Sequence, residues 1–293
     1  MENNNKKLLA TGLTGLIGKE LVEPLKALGF DIYCITIDES NPDNGVHWIK
    51  GSLFDSQFIK STMEEVKPDY LLNMAWATTG DYLSSNINYD FLNAGITLIK
   101  SFCENGGKRA VFAGTCFEYK FKDEPLKECD ELESERTAYT FCKNKLREIS
   151  QFVCQKYGVN FGYGRIFYVY GKGEHHKRLT GCIIDRFSRD EEVLITSGPL
   201  VKDYMYSKDI AGAFAKFLDS DVNGIVNICT GKGVSIRDYS MQLAEKLGKV
   251  GLLKFEDNCA KDPKFIIGDN SRLINEVGYE IKYDLATAFD EIV

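Results

Sequence analysis

The chain has 293 residues, 44% hydrophobic and 27% charged, enough apolar material for one large α/β unit or for a main domain with a smaller lobe. A formal net charge of -7 argues against a nucleic-acid backbone as the main partner, although local basic groups can still receive a small anion. The opening MENNNKK has neither a signal-peptide pattern nor the apolar length of a membrane span, so the chain reads as cytoplasmic, with no membrane partner.

In chain order, Lys6 to Ala10 reads as a short buried strand, followed by a glycine turn and a helix from about Leu16 to Leu28, with Gly29 at its C-terminal cap. FDIYCITI, residues 30–37, has the β-branched and aromatic content of a second strand. Further strands are expected at Tyr70 to Met74, Ala110 to Ala113 and Asn160 to Phe167, with amphipathic stretches at Phe91 to Glu104 and Ala138 to Lys156 between them. This alternation predicts an α/β fold with a Rossmann-type doubly wound parallel sheet. After Tyr170 and Gly171 the rhythm loosens, and residues 172–205 are basic and punctuated by glycine. The expected division is a dinucleotide-binding domain over 1–170 and a smaller mixed α/β substrate lobe over 171–293, interleaved because VNICT, 226–230, reads as a strand returning to the main sheet.

Nine cysteines with no C-x-x-C pair, beside three histidines, read as reduced, mostly packed thiols, with no disulfide framework and no metal site. The acidic stretch from Lys122 to Arg136 reads as a solvated loop.

The first motif is TGLTGLIG, Thr11 to Gly18. Gly12 permits a tight turn, Gly15 lets the main chain approach a pyrophosphate, and Gly18 lets helix and strand pack closely. The following helix N-terminus would add amide donors and a positive dipole end. At the end of the second strand, where a carboxylate would accept both ribose hydroxyls of NAD, stands Thr36, with Asp38 two residues on as a turn carboxylate or ribose partner. NAD and NADP both remain open, and Thr36 tilts the choice toward NADP.

The second motif is YTFCK. Tyr139 and Lys143 lie i, i+4, so a helix projects both from one face. The ammonium is expected to stabilise a phenolate and pull the phenol below its reference pKa of about 10, suiting Tyr139 to exchange a proton with a sugar oxygen while hydride moves at the attached carbon. A third member fits at the end of the preceding strand, where Thr115 in AGTCFEY would hydrogen-bond the reacting oxygen; Cys116 beside it reads as packed.

These residues resemble the extended short-chain dehydrogenase/reductases that modify nucleotide sugars. Similar segments run over nearly the whole chain: NMAWATT at 73–79, NAGITLIKSF from Asn93, GRIFYVYGKG from Gly164, KDYMYSKDIAGAF at 202–214 and SRLINEVGY at 271–279. The resemblance implies a cofactor site of Gly12, Thr14, Gly15, Leu16, Ile17, Gly18, Ala75, Tyr139, Lys143 and Phe167, with Thr36 or Asp38 at the ribose. It implies Thr115, Tyr139 and Lys143 as the catalytic group. A nucleotide-diphosphate sugar would meet Thr115, Cys116, Tyr168, Arg178 and Lys202, the last standing where the family has an arginine and lacking its bidentate fork.

Dehydratases of this family follow the catalytic threonine with Asp-Glu, whereas Cys116 and Phe117 stand here, with Glu118 the nearest carboxylate. The sequence looks most like short members that reduce a 4-keto-6-deoxy sugar on a nucleotide, with NAD(P)H as hydride source. A C4 epimerase that retains NAD is the alternative, and a 3,5-epimerase/reductase using Cys116, His175 and His176 is a further one. A cofactor-binding protein without catalysis is a third reading, disfavoured because Thr115, Tyr139 and Lys143 are all present. A homodimer is left open.

Overall fold

The computed structural model describes residues 6–39, 41–133, 136–256 and 263–293. The amino-terminal Asn run and Cys259 lie outside the described residues, as do residues 134–135 of the acidic stretch.

The first half alternates strand and helix: β1 (Lys6–Thr11), α1 (Val22–Ala27), β2 (Phe30–Thr36), β3 (His47–Lys50), α2 (Ser56–Val66), β4 (Tyr70–Asn73), α3 (Ile87–Glu104), β5 (Arg109–Thr115), α4 (Ala138–Tyr157) and β6 (Asn160–Ile166). The second half has shorter pieces: β7 (Tyr168–Tyr170), α5 (Leu179–Ser188), β8 (Val193–Ile195), β9 (Val201–Lys202), β10 (Tyr204–Tyr206), α6 (Ser207–Asp219), β11 (Gly224–Ile228), β12 (Val234–Ser235), α7 (Ile236–Lys246), β13 (Leu253–Phe255), β14 (Phe265–Ile266), α8 (Ser271–Asn275) and α9 (Leu285–Ile292). Seven strands form one parallel sheet in the order β11-β6-β5-β4-β1-β2-β3. This is the Rossmann-type doubly wound sheet expected from the alternation, and the strand expected near 226–230 is β11, parallel to β6 at the edge.

Successive side chains of a strand point to opposite faces, so Leu8 and Ala10 enter one apolar layer, with α1 and α6, and Leu9 enters the other, with α2, α3 and α4. A third cluster joins α5, α7 and α9 through Tyr170, Phe187, Tyr239 and Phe289. The order reverses beside β1, whose neighbours are β2 on one side and β4 on the other, and such a switch point opens a crevice at the carboxyl ends of the strands.

The structure corrects one reading and adds to another. The helix expected over 16–28 begins as a 3-10 turn, Gly18–Glu20, and α1 is confined to Val22–Ala27. Pro24 has no N–H to continue a longer helical ladder and is tolerated only within a first turn. Within the acidic stretch, Leu126 is fully buried and its main chain pairs with Ile267 and Asp269, so this segment is anchored to the second half of the chain. The described cysteines are free thiols. No described helix is long and apolar enough to cross a membrane.

Candidate active site

The crevice contains a cleft of about 650 Å³ that runs from the glycine turn, past Ala75 and Trp76, to Thr115, Tyr139, Lys143, Phe167 and Tyr168. At its first end Gly12 has φ +76 and a Cβ there would meet the Ala75 amide at 2.7 Å. A Cβ on Gly18 would lie 2.0 Å from the Gly12 carbonyl oxygen, whereas one on Gly15 would meet only that oxygen, at 3.4 Å. Gly12 and Gly18 therefore make the turn compact and Gly15 leaves its outer face open to the cleft, beside Thr14, Leu16 and Ile17. Such a glycine cradle at a switch point fits the pyrophosphate of a dinucleotide.

The strand after the turn treats the ribose candidates differently. Thr36 is buried and Asp38 folds back on it, the Asp38 amide donating to Thr36 Oγ1 at 3.1 Å. Neither lines the cleft; Ile37 between them does, and is 73% exposed.

At the other end, local signals place each catalytic candidate. Thr137 caps α4 by accepting from the Thr140 amide at 3.1 Å, which puts Tyr139 in the first turn and Lys143 one turn on. The Tyr139 amide donates to Leu83 O at 3.0 Å, tying α4 to the loop after β4. Thr115 ends β5 and caps a 3-10 turn, Cys116–Glu118, with an extended backbone, and its hydroxyl reaches the Tyr139 phenol. Lys143 is 4% exposed, donates to Ala113 O at 2.8 Å and stands 4.0 Å over the Trp76 ring and 5.9 Å over that of Tyr139.

The electrostatics correct the expected activation of the phenol. Burial raises Tyr139 well above its ordinary range, and the Thr115 hydrogen bond opposes this only in part. Burial also brings Lys143 down to about 7, with Glu118 pulling the other way. Desolvation disfavours the charged form of both groups, so the fold keeps the phenol neutral and weakens the hold of the amine on its proton.

Phe167, Tyr168 and Arg178 line the cleft with Thr115. Arg178 donates to Thr78 O at 2.9 Å, spanning from the start of α5 to the loop after β4. Cys116 and Lys202 do not line it. Cys116 is buried among Tyr119, Leu126, Phe167 and Cys229, and burial lifts its thiol to about 12, which removes it as an acid or base near neutral pH. Lys202 is buried, donates to Pro263 O at 3.1 Å and lies 5.5 Å over the ring of Tyr168, which lines the cleft. His175 lines the cleft and stacks on His176, which does not.

Glu118 does not line the cleft either; it is paired with Arg165 at 3.0 Å, both side chains 0% exposed. Among the described residues, no Asp or Glu lines the cleft at all, while Lys143 and Arg178 do. A net acidic protein thus lines this cleft with basic side chains and, among the described residues, no acidic ones.

Sequence reasoning missed Trp76 and Tyr82 as site residues. Asn88, fully buried, accepts from Trp76 Nε1 at 2.8 Å and donates to Tyr82 O at 2.7 Å, so one amide side chain sets the wall on which Lys143 and Tyr139 rest. The local signal was two aromatics, Trp76 and Tyr82, in the loop after β4.

The family model described as the NAD dependent epimerase/dehydratase family matches residues 8–229. The chain is 24% identical to CDP-abequose synthase of Salmonella typhimurium over 299 residues, 98% of this chain and 97% of that protein. It is 26% identical to dTDP-4-dehydro-6-deoxyglucose reductase of Escherichia coli over 314 residues, 100% of this chain and 98% of that protein. Its fold matches the Thermus thermophilus UDP-glucose 4-epimerase, solved in complex with NAD, with a TM-score of 0.85 and 22% identity over 98% of each chain. The family match takes in the glycine turn, the end of β5 and the start of α4 together, and on that ground the chain belongs to the NAD-dependent epimerase/dehydratase family.

Proposed function

We propose that the protein is an NAD(P)H-dependent reductase of a nucleotide-linked 4-keto-6-deoxy sugar. The observation that carries this reading is the composition of the cleft: Thr115, Tyr139 and Lys143 meet in it, and among the described residues no carboxylate lines it. Water elimination from the sugar needs an acid and a base beyond the redox group, and the nearest carboxylate, Glu118, is committed to Arg165. The two relatives named as CDP-abequose synthase and as a reductase of a 4-dehydro-6-deoxy sugar support the same choice.

Gly12, Gly15 and Gly18 would hold the pyrophosphate, with Thr14, Leu16, Ile17 and Ala75 beside it and Phe167 near the nicotinamide. The bound cofactor supplies a hydride for the carbonyl carbon. The phenol of Tyr139, kept neutral by burial, gives its proton to the oxygen that becomes the C4 hydroxyl and is left as phenolate. Thr115 orients that oxygen by hydrogen bonding, and Lys143 in its ammonium form stabilises the phenolate. Arg178 and Tyr168 are assigned to the nucleotide-diphosphate sugar. The absence of a carboxylate where Ile37 faces the cleft favours NADP over NAD in this reading.

The test offers the protein a panel of nucleotide-linked 4-keto-6-deoxy sugars with NADPH and with NADH and follows loss of reduced nicotinamide absorbance. Consumption of one reduced cofactor per sugar supports the reductase. The fold neighbour supports a second reading, a C4 epimerase, whose signature is turnover of a nucleotide sugar with no net cofactor consumption.

A further inference from the structure

Below the cleft lies a charge that the proposed chemistry does not use. Glu118 is fully buried; its Oε1 accepts from the Thr115 amide at 3.0 Å and from the Tyr163 hydroxyl at 2.9 Å, and its Oε2 accepts from Arg165 Nε at 3.0 Å. The absence of a side chain at Gly114 makes this fit, because a Cβ there would lie 2.9 Å from Oε1. Arg165 in turn lies 4.3 Å over the Tyr119 ring, and the Tyr163 hydroxyl is also 3.1 Å from the Lys143 main-chain carbonyl. The carboxylate therefore ties the end of β5, the turn after it, the first helical turns of α4 and strand β6 at one point.

Burying an ion pair is weak evidence of stabilisation, since well-packed apolar groups of equal volume often do as well. Its position is more informative. Thr115 carries the hydroxyl that meets Tyr139, and the Glu118 side chain closes a capping box on the Thr115 amide, so it sets where that hydroxyl stands. The groups around Glu118 are Thr115, Cys116 and Tyr119 from its own segment, Tyr139 and Lys143 from α4, and Tyr163 and Arg165 from β6. Of these, Lys143 is brought down by burial, and Glu118 is the charge that acts on it in the opposite direction.

We propose that Glu118 is a positioning residue of this site: its carboxylate anchors Thr115 through the main chain and, through the Tyr163 hydroxyl, fixes the turn of α4 that carries Lys143. The proposal rests on the assignment of Thr115, Tyr139 and Lys143 to the reaction, and it makes Arg165 the holder of Glu118.

The experiment compares wild-type protein with Glu118→Asp, with Glu118→Gln and with the charge-neutral double variant Glu118→Gln/Arg165→Gln, which leaves no lone buried charge if the single variant fails to fold. Lys143 is titrated without substrate by NMR of isotope-labelled lysines, assigned with Lys143→Met, and keto-sugar reduction is measured in parallel. In Glu118→Gln, which leaves Arg165 unopposed, the Lys143 midpoint is expected to fall by at least roughly half a pH unit and kcat by about tenfold, with KM within about twofold; in the double variant, where both charges are gone, kcat falls alike while the midpoint stays near wild type. Glu118→Asp keeps the charge but draws it back from the Thr115 amide, so its midpoint stays near wild type while kcat drops. An unchanged midpoint in Glu118→Gln, or wild-type kcat in Glu118→Asp or in the double variant, overturns the proposal. A lowered midpoint in a protein that reduces no keto sugar sinks the reductase reading and leaves the role of Glu118 standing.

Discussion

Lys143→Met should stabilise the fold against pH change while destroying the site. Lys143 falls from an ordinary 10.5 to about 7 because it is buried. At about 1.4 kcal/mol per pH unit, that span amounts to roughly 5 kcal/mol of unfavourable burial when the unfolded chain is fully protonated. The sign follows from proton counts: between the two values the unfolded chain holds one more proton than the folded one, so wild-type stability rises with pH across that window. Methionine does not titrate, and the loss of the bond to Ala113 O is independent of pH. Urea unfolding at a series of pH values therefore isolates the effect. The unfolding free energy of wild type relative to Lys143→Met should increase by roughly 2 kcal/mol from about pH 7 to about pH 9. A difference that stays flat or falls over that range would refute the claim that the amine is desolvated in the fold.

Other outcomes follow from the same site. Tyr139→Phe removes the proton donor and should lower keto-sugar turnover at least roughly 100-fold while leaving the cofactor dissociation constant within about twofold, read by stopped assays and fluorescence titration. In the reductive direction kcat/KM should decline as pH rises through about 7, because Lys143 loses the proton with which it supports the phenolate; a profile level through neutrality would contradict this assignment. Gly18→Ala places a methyl group 2.0 Å from a backbone oxygen and should cost roughly 1–3 kcal/mol of stability by urea unfolding. Gly15→Ala meets nothing closer than 3.4 Å, so its stability should be near wild type while cofactor binding weakens; equal destabilisation by both would show that the two glycines do not have separate roles.

Much of the frame was legible because its signals are local. The apolar runs that became β1, β2, β4, β5 and β6 are buried strands of a parallel sheet, and such strands show as continuous hydrophobic stretches. β3 escaped notice because His47–Lys50 is half-exposed at the sheet edge and carries no apolar run. α2 did too, although Asp55 caps it by accepting from the amides of Gln57 and Phe58. Of the residues named for the site, Gly12, Gly15, Gly18, Thr115, Tyr139, Lys143, Tyr168 and Arg178 share one cleft, whereas Cys116, Lys202, Thr36 and Asp38 do not line it.

What the sequence determined alone was spacing: the glycines of one turn and a Tyr and Lys one helical turn apart, relations set by backbone geometry over a few residues. Tertiary structure decided the protonation and the company of those groups. Desolvation depends on everything packed around a side chain, and the partners that matter, Trp76 under Lys143 and Arg165 on Glu118, arrive from strands and loops distant in the chain.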